Sequence, residues 1–81
     1  MDDKEIIQTI DALVAEEHQL RDRRQAGLVD SGEELIRLRD LEASLDQCWD
    51  LLRRRRAARE SGADPDRVEV QPREQVEGYM Q

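Results

Sequence analysis

The sequence has few of the residues that build disulfide frameworks, aromatic cores or metal sites. Aromatic residues make up 2% of its 81 residues, Phe is absent, and there is one cysteine and one histidine. A single cysteine cannot form an internal disulfide, so a disulfide-stapled fold is excluded. No apolar run approaches the ~18 residues of a membrane span, and the acidic start has no basic signal-peptide region. We therefore expect one small, soluble, cytoplasmic domain.

Charge is abundant instead. Charged residues make up 41% of the chain, and 20 acidic against 13 basic residues give a net charge of −7. Ile, Leu and Val number 18, which is just enough for a small core. Because a chain of this size buries only ~60% of its unfolded surface, we expect an economical fold that a partner surface helps to stabilise.

The apolar periodicity predicts a first helix over about residues 3–25. Its seam, the line of positions that packs along a second helix, has steps of three and four residues: Ile6, Ile10, Leu13, Glu17 and Leu20. Asp2 or Asp3 is a suitable N-cap. Gly27 is a suitable left-handed stop, with Leu28 folding back onto the last turn.

A second helix is predicted over about residues 31–60. Ser31 and Glu34 have the spacing of a capping box, and Ser61 with Gly62 supplies a C-terminal stop. Its seam again has steps of three and four: Leu38, Leu41, Leu45, Cys48 and Leu52.

The short connection predicts that the two helices are antiparallel neighbours. The fold class is therefore all-α, with a hairpin over residues 1–62 and a C-terminal tail over 63–81. In the tail, residues 67–72 are expected to be extended and Pro72 to begin a short helical turn. The tail packs either on its own hairpin or on a partner. Pairing the helices outward from the turn sets Ile6 opposite Trp49 and Leu52. This register also places the acidic residues Asp2, Asp3 and Glu5 beside the basic run 53–56.

Several apolar residues remain outside the seam after the hairpin is packed, and we take them as interface candidates: Ile7, Val14, Ile36, Trp49, Leu51 and, in the tail, Tyr79. They predict a homodimer, with two hairpins forming a four-helix bundle, and contact with an unidentified protein partner. Full burial of a large apolar side chain contributes about 1.5–3 kcal/mol. An alternative with equal support is that Trp49 only caps the hairpin core beneath the tail.

Glu16, Glu17 and His18 carry side chains of metal-ligand type, but a structural interpretation is simpler. Adjacent positions on a helix point ~100° apart and do not chelate one ion. We expect ion pairs four residues apart instead, Glu17 with Arg21 and His18 with Asp22.

Cys48 lies mid-helix on the apolar seam, where a small buried hydrophobe is expected rather than a nucleophile. Phosphate loops, Cys-x-x-Cys motifs and catalytic triads are absent from the sequence. We therefore expect a protein that is not an enzyme, with no catalytic residues, no cofactor and no metal.

The only basic cluster consists of Arg53, Arg54, Arg55, Arg56 and Arg59. Four consecutive arginines wrap around a helix, whereas phosphate binding requires bases on one face. We expect a solvated helix end that complements the dipole. The alternative function is a nucleic-acid or ribosome-associated accessory protein that uses this basic patch, although the net charge of −7 makes nucleic acid an unfavourable partner.

The string Leu45-Asp46-Gln47-Cys48-Trp49-Asp50-Leu51-Leu52-Arg53, with residues 16–21, 37–42, 62–66 and 76–81, resembles a family of small actinobacterial proteins described as a domain of unknown function. The resemblance covers nearly the whole chain. It implies a complete cytoplasmic protein with a tail that docks, and it carries no activity or catalytic residue.

Overall fold

The computed structural model describes the backbone of residues 2–27 and 32–79, with side chains in these ranges up to Val76. Two long helices, α1 (Asp3–Gln25) and α2 (Gly32–Glu60), are followed by a 3₁₀ turn (Pro65–Arg67) and a short helix, α3 (Arg73–Tyr79). Within the described ranges there are no strands. The helices α1 and α2 pack on each other, and the predicted all-α hairpin is confirmed.

The ends of α1 follow from local chemistry. The Oδ1 atom of Asp2 accepts a hydrogen bond from the backbone N–H of Glu5 at 2.8 Å, which confirms the predicted N-cap. After α1, Gly27 has a φ of +73° and its N–H donates to the carbonyl of Arg24. The predicted contact of Leu28 and the capping box of Ser31 lie outside the described residues.

A glycine stop ends α2 and reverses the chain. Gly62 has a φ of +82°, and its N–H donates to the carbonyl of Arg59 at 3.2 Å. The N–H of Ala63 donates to the carbonyl of Ala58 at 2.8 Å, which completes a Schellman motif. The tail consequently runs back along α2.

The core lies between α1 and α2, with its buried cluster at the end away from the connection and with Leu38 and Leu41 of α2 buried nearer the connection. Its buried cluster contains one pair of residues from each helix: Ile6, Ile10, Leu51 and Leu52. Partly buried apolar residues pack against this cluster: Val14, Leu45, Cys48 and Val68. The predicted register is correct in placing Ile6 beside Leu52, whereas Trp49, also expected opposite Ile6, lies outside this cluster and is 45% exposed.

The tail lies antiparallel to α2 in the same chain. Gln47 donates to the carbonyl of Gln71 at 3.0 Å, and Arg54 donates to the carbonyl of Glu69 at 2.7 Å. In α3, the side chain of Val76 is buried. The division into a hairpin over 1–62 and a tail over 63–81 stays a prediction.

The predicted tail conformation needs two corrections. Pro65–Arg67 is a 3₁₀ turn, capped by the Asp64 side chain on the N–H of Asp66 at 2.9 Å, so the extended stretch begins only after Arg67. The second correction concerns α3, which extends to seven residues. Pro72 precedes this helix, and its carbonyl accepts from the N–H groups of Gln75 and Val76.

None of the helices in the described ranges combines the length and apolar character that crossing a bilayer requires.

Candidate interaction face and arginine cluster

Two ion pairs between α1 and α2 mark the two broad sides of the hairpin. On one side, Nη2 of Arg21 lies 2.7 Å from Oε1 of Glu42. On the other side, Arg37 forms a bidentate pair with Glu16, with Nε 2.7 Å from Oε2 and Nη2 3.0 Å from Oε1. Since residues seven apart lie on the same side of a helix, these pairs assign the neighbouring residues to a side.

The first side carries two sets of residues at seven-residue steps, which we name the open face: Ile7, Val14 and Arg21 in α1, and Glu42, Trp49 and Arg56 in α2. Ile7 is 43% exposed and Trp49 is 45% exposed. Val14 is partly buried against the core. The open face is therefore an apolar centre on both helices, flanked by charges.

The tail covers the second side. Val70, Ser44, Gln47, Thr9 and Leu13 line an apolar groove of about 290 Å³ between the two helices and the tail. Cys48 also lines this groove, and burial raises the pKa of its thiol. Desolvation disfavours the thiolate, in agreement with the predicted structural role of this cysteine.

The structure separates the predicted interface candidates. Ile7, Val14 and Trp49 share the open face, whereas Ile36 is 60% exposed on the stripe of α2 that includes Ala43 and Gln47, on the tail side.

The remaining interface candidates are Leu51 and Tyr79. Leu51 is 4% exposed, because it belongs to the core cluster of its own chain, so its placement among the off-seam interface candidates was wrong. The side chain of Tyr79 lies outside the described residues.

Arg55 is the clearest departure from the predicted solvated basic patch. It is 4% exposed, and its guanidinium reaches three groups. Nε donates to Oδ1 of Asp3 at 2.7 Å, Nη1 to the carbonyl of Pro65 at 2.8 Å, and Nη2 to Oδ1 of Asp66 at 3.2 Å. The residue therefore joins α1, α2 and the tail. It is buried, so its assignment to a basic surface patch was wrong.

Two further arginines of the run are engaged within the chain. Arg59 donates to Oδ2 of Asp3. Arg54 lies 3.6 Å from Asp50 and also donates to the carbonyl of Glu69. Among the residues that the structure describes, Arg53 and Arg56 have no ion pair, and both are exposed.

The two arginines that contact Asp3 change the protonation of its carboxyl. The hydrogen bond from Arg59, followed by that from Arg55, lowers the pKa of Asp3 from 3.8 to about 2. In the same contact, the hydrogen bond to Asp3 raises the pKa of Arg55. Each partner stabilises the charged form of the other, so the cluster is ionised at neutral pH.

The Glu16-Glu17-His18 segment forms ion pairs at its two acids. Nε of Arg21 lies 3.1 Å from Oε1 of Glu17, as predicted, while Glu16 pairs with Arg37 on the opposite helix. His18 is exposed. Across residues 2–27 and 32–76, no three His, Cys, Asp or Glu side chains are grouped to hold a metal ion.

The family model described as "Protein of unknown function (DUF2630)" matches residues 2–81. The chain belongs to this family. The uncharacterized protein Rv0898c of Mycobacterium tuberculosis (strain H37Rv) and the uncharacterized protein Mb0922c of Mycobacterium bovis are similar to it, each 51% identical over 77 residues, which cover 95% of this chain and 88% of the relative. No solved structure matches the chain significantly. The predicted family resemblance is confirmed.

In this DUF2630 chain, sequence reasoning missed the cluster that Arg55 forms with Asp3, Pro65 and Asp66. The predicted register places Asp3 near the basic run, but the contacts of Arg55 with Pro65 and Asp66 require the tail to return along α2. Gly62, whose positive φ turns the chain after α2, gave a signal for the turn but not for the face of α2 that the tail covers.

Proposed function

We propose that this chain is a non-catalytic helical interaction module, an adaptor or regulatory protein of the cytoplasm, that acts through protein–protein contact at the open face. The observation that carries the proposal is the position of Trp49. It is 45% exposed, on the side of the hairpin opposite the tail.

Physical chemistry favours a contact at this residue. Trp is enriched in the few interface residues that contribute most of the binding energy, and such residues lie at the centre of a patch with a polar rim. Ile7 adds exposed apolar surface from α1, and the pair of Arg21 with Glu42 supplies a charged rim.

The arginine contacts weigh against the alternative of nucleic-acid binding. Phosphate contacts need free guanidinium groups on one surface. Arg55 and Arg59 hold Asp3, and Arg54 holds the tail. Arg53 and Arg56 remain available, and they form a small basic surface on a chain with a net charge of −7.

The test is photo-cross-linking in cells of the native organism. Benzoylphenylalanine replaces Trp49, and in a matched control it replaces Ile36, which is exposed on the other side of the hairpin. We expect discrete protein adducts from position 49 and none from position 36. A lack of adducts at 49, equal adducts at both positions, or adducts that ribonuclease removes would contradict the proposal.

A further inference from the structure

We propose that the partner on the open face is a second copy of this chain, which packs with its α2 antiparallel to α2 about a two-fold axis near Trp49. This inference rests on the proposed function, because it names the occupant of the same face.

The order of charges along α2 carries the inference. The three α2 residues of the open face belong to a longer stripe that also includes Asp46 and Arg53. Its steps of four and three residues keep its members on one side of the helix: Glu42, Asp46, Trp49, Arg53 and Arg56. Two acids precede the tryptophan and two bases follow it, at nearly equal distances. Two antiparallel copies of this stripe therefore place a base opposite each acid.

A two-fold axis at Trp49 turns this order into matched contacts. Glu42 of one chain then lies opposite Arg56 of the other, and Asp46 of one chain lies opposite Arg53 of the other. A two-fold interface repeats each contact, so four opposite-charge contacts surround the two tryptophans. A parallel arrangement would place acids against acids and bases against bases, which disfavours it.

The charges on this stripe are available for such contacts. Among the described residues, Asp46, Arg53 and Arg56 take part in no ion pair. Glu42 pairs with Arg21, but both side chains are about half exposed, and an exposed pair of this kind contributes only ~0–1 kcal/mol. Its carboxylate can therefore accept a second cation.

The apolar residues of α1 extend the same contact. Ile7 and Val14 lie on the open face on either side of the level of Trp49. In the two-fold arrangement they flank the paired tryptophans, and the four long helices form one bundle. The stripe from Glu42 to Arg56 is ~21 Å long at 1.5 Å per residue, so the contact covers about half the length of α2.

A charge exchange tests the pairing of Asp46 with Arg53. Arg53→Glu places an acid opposite Asp46 twice in each dimer, and Asp46→Arg places a base opposite Arg53 twice. By sedimentation equilibrium, we expect a wild-type dimer, each variant alone to dimerise at least about tenfold more weakly, and an equimolar mixture of the two to recover the wild-type affinity as a heterodimer.

Arg67→Glu is the matched control, since its side chain is 89% exposed in the 3₁₀ turn of the tail. It changes the net charge by the same amount as Arg53→Glu, and we expect it to dimerise as the wild type does. Circular dichroism measures the helix content of each variant and so identifies a variant that is unfolded. Dimerisation affinities are then compared only among folded variants.

Orientation is tested by cysteine cross-linking in a Cys48→Ala background. A mixture of Glu42→Cys and Arg56→Cys chains should form mixed disulfides, whereas each chain alone should not, because identical positions would be ~21 Å apart along the axis. Disulfides from Glu42→Cys alone would overturn the antiparallel arrangement.

The remaining outcomes separate this inference from the proposed function. A monomeric wild type, or a dimer unaffected by Arg53→Glu, overturns the second copy as partner. If position 49 still cross-links to another protein in cells, the proposed function stands without it. If position 49 gives no protein adduct while the purified chain remains monomeric, both fail.

Discussion

The two ends of the hairpin are held together by different interactions. Away from the connection, Ile6 is fully buried and Arg55 is 4% exposed in its contact with Asp3. Toward the connection, residues 21–25 of α1 and the two residues after it are all exposed, and Arg23 lies 3.6 Å from Glu34 in a partly exposed pair. The helix α1 therefore has a packed end, which contains Ile6 and Ile10, and a solvent-exposed end toward the connection, which includes residues 21–25 and which we call the wet end.

This difference teaches that residues far apart in the sequence hold the first half of α1 against α2. In α1 the buried residues are Ile6 and Ile10, both in its first half. They meet Leu51 and Leu52, more than forty positions later in the chain. Contacts of this sequence separation determine how firmly the first half of α1 is held.

The largest expected effect comes from emptying the packed end. Ile6→Ala should lower the free energy of unfolding by about 2–5 kcal/mol, because it leaves a cavity in the core. Leu20→Ala, at the wet end where the side chain is only partly buried, should cost about 1 kcal/mol. Urea unfolding followed by circular dichroism measures both, and equal losses would contradict the comparison.

The next effect concerns the buried arginine. Arg55→Met keeps much of the side-chain volume but leaves Asp3, Asp66 and the carbonyl of Pro65 without their shared donor. We expect a lower melting temperature and faster proteolysis of the tail. Arg24→Met is the matched control, because Arg24 is exposed and lies outside the proposed dimer contact, and it should leave both readouts unchanged. A tail that stays resistant in Arg55→Met would show that other contacts suffice.

Acid should loosen the packed end through Asp3. Its pKa is about 2 in the folded chain and 3.8 ordinarily, so the unfolded chain takes up its proton first as the pH falls. The stabilisation is complete above about pH 4 and is lost as the pH falls toward 2. The stability difference between the wild type and Asp3→Asn should shrink over this window in urea titrations. A stability difference that stays constant with pH would contradict the lowered pKa of Asp3.

The smallest effect belongs to the wet end. Breaking the exposed pair of Arg37 and Glu16 with Glu16→Gln should change stability by ~0–1 kcal/mol. The change should diminish in high salt, which screens exposed charges. A loss comparable with that of Ile6→Ala would mean that this pair, and not the apolar cluster, holds the helices together.

Helix positions and register could be predicted from the sequence because they depend on local chemistry. Asp2 caps α1, Gly27 and Gly62 adopt positive φ, and Ile6 meets Leu52, as the spacing of apolar and capping residues indicates. Each of these features is encoded within a few residues, or by one periodic stripe.

Burial outside the seam could not be predicted, because it depends on where the tail lies. Leu51 was assigned to an interface and Arg55 to a basic surface, yet both are 4% exposed. Periodicity places them on a face of α2, but it does not indicate that the tail returns over that face. For Trp49 and Ile7, the predicted position outside the core agrees with their exposure.

The place of Arg55 in chain order has a consequence for how the protein is made. It follows Asp3 by 52 residues and precedes Asp66 by 11. At a synthesis rate of ~5–20 residues per second, the arginine is translated roughly 3–10 s after the aspartate it will bind. The carboxylate of Asp3 therefore emerges without its partner, and the cluster can close only after Asp66 has left the ribosome.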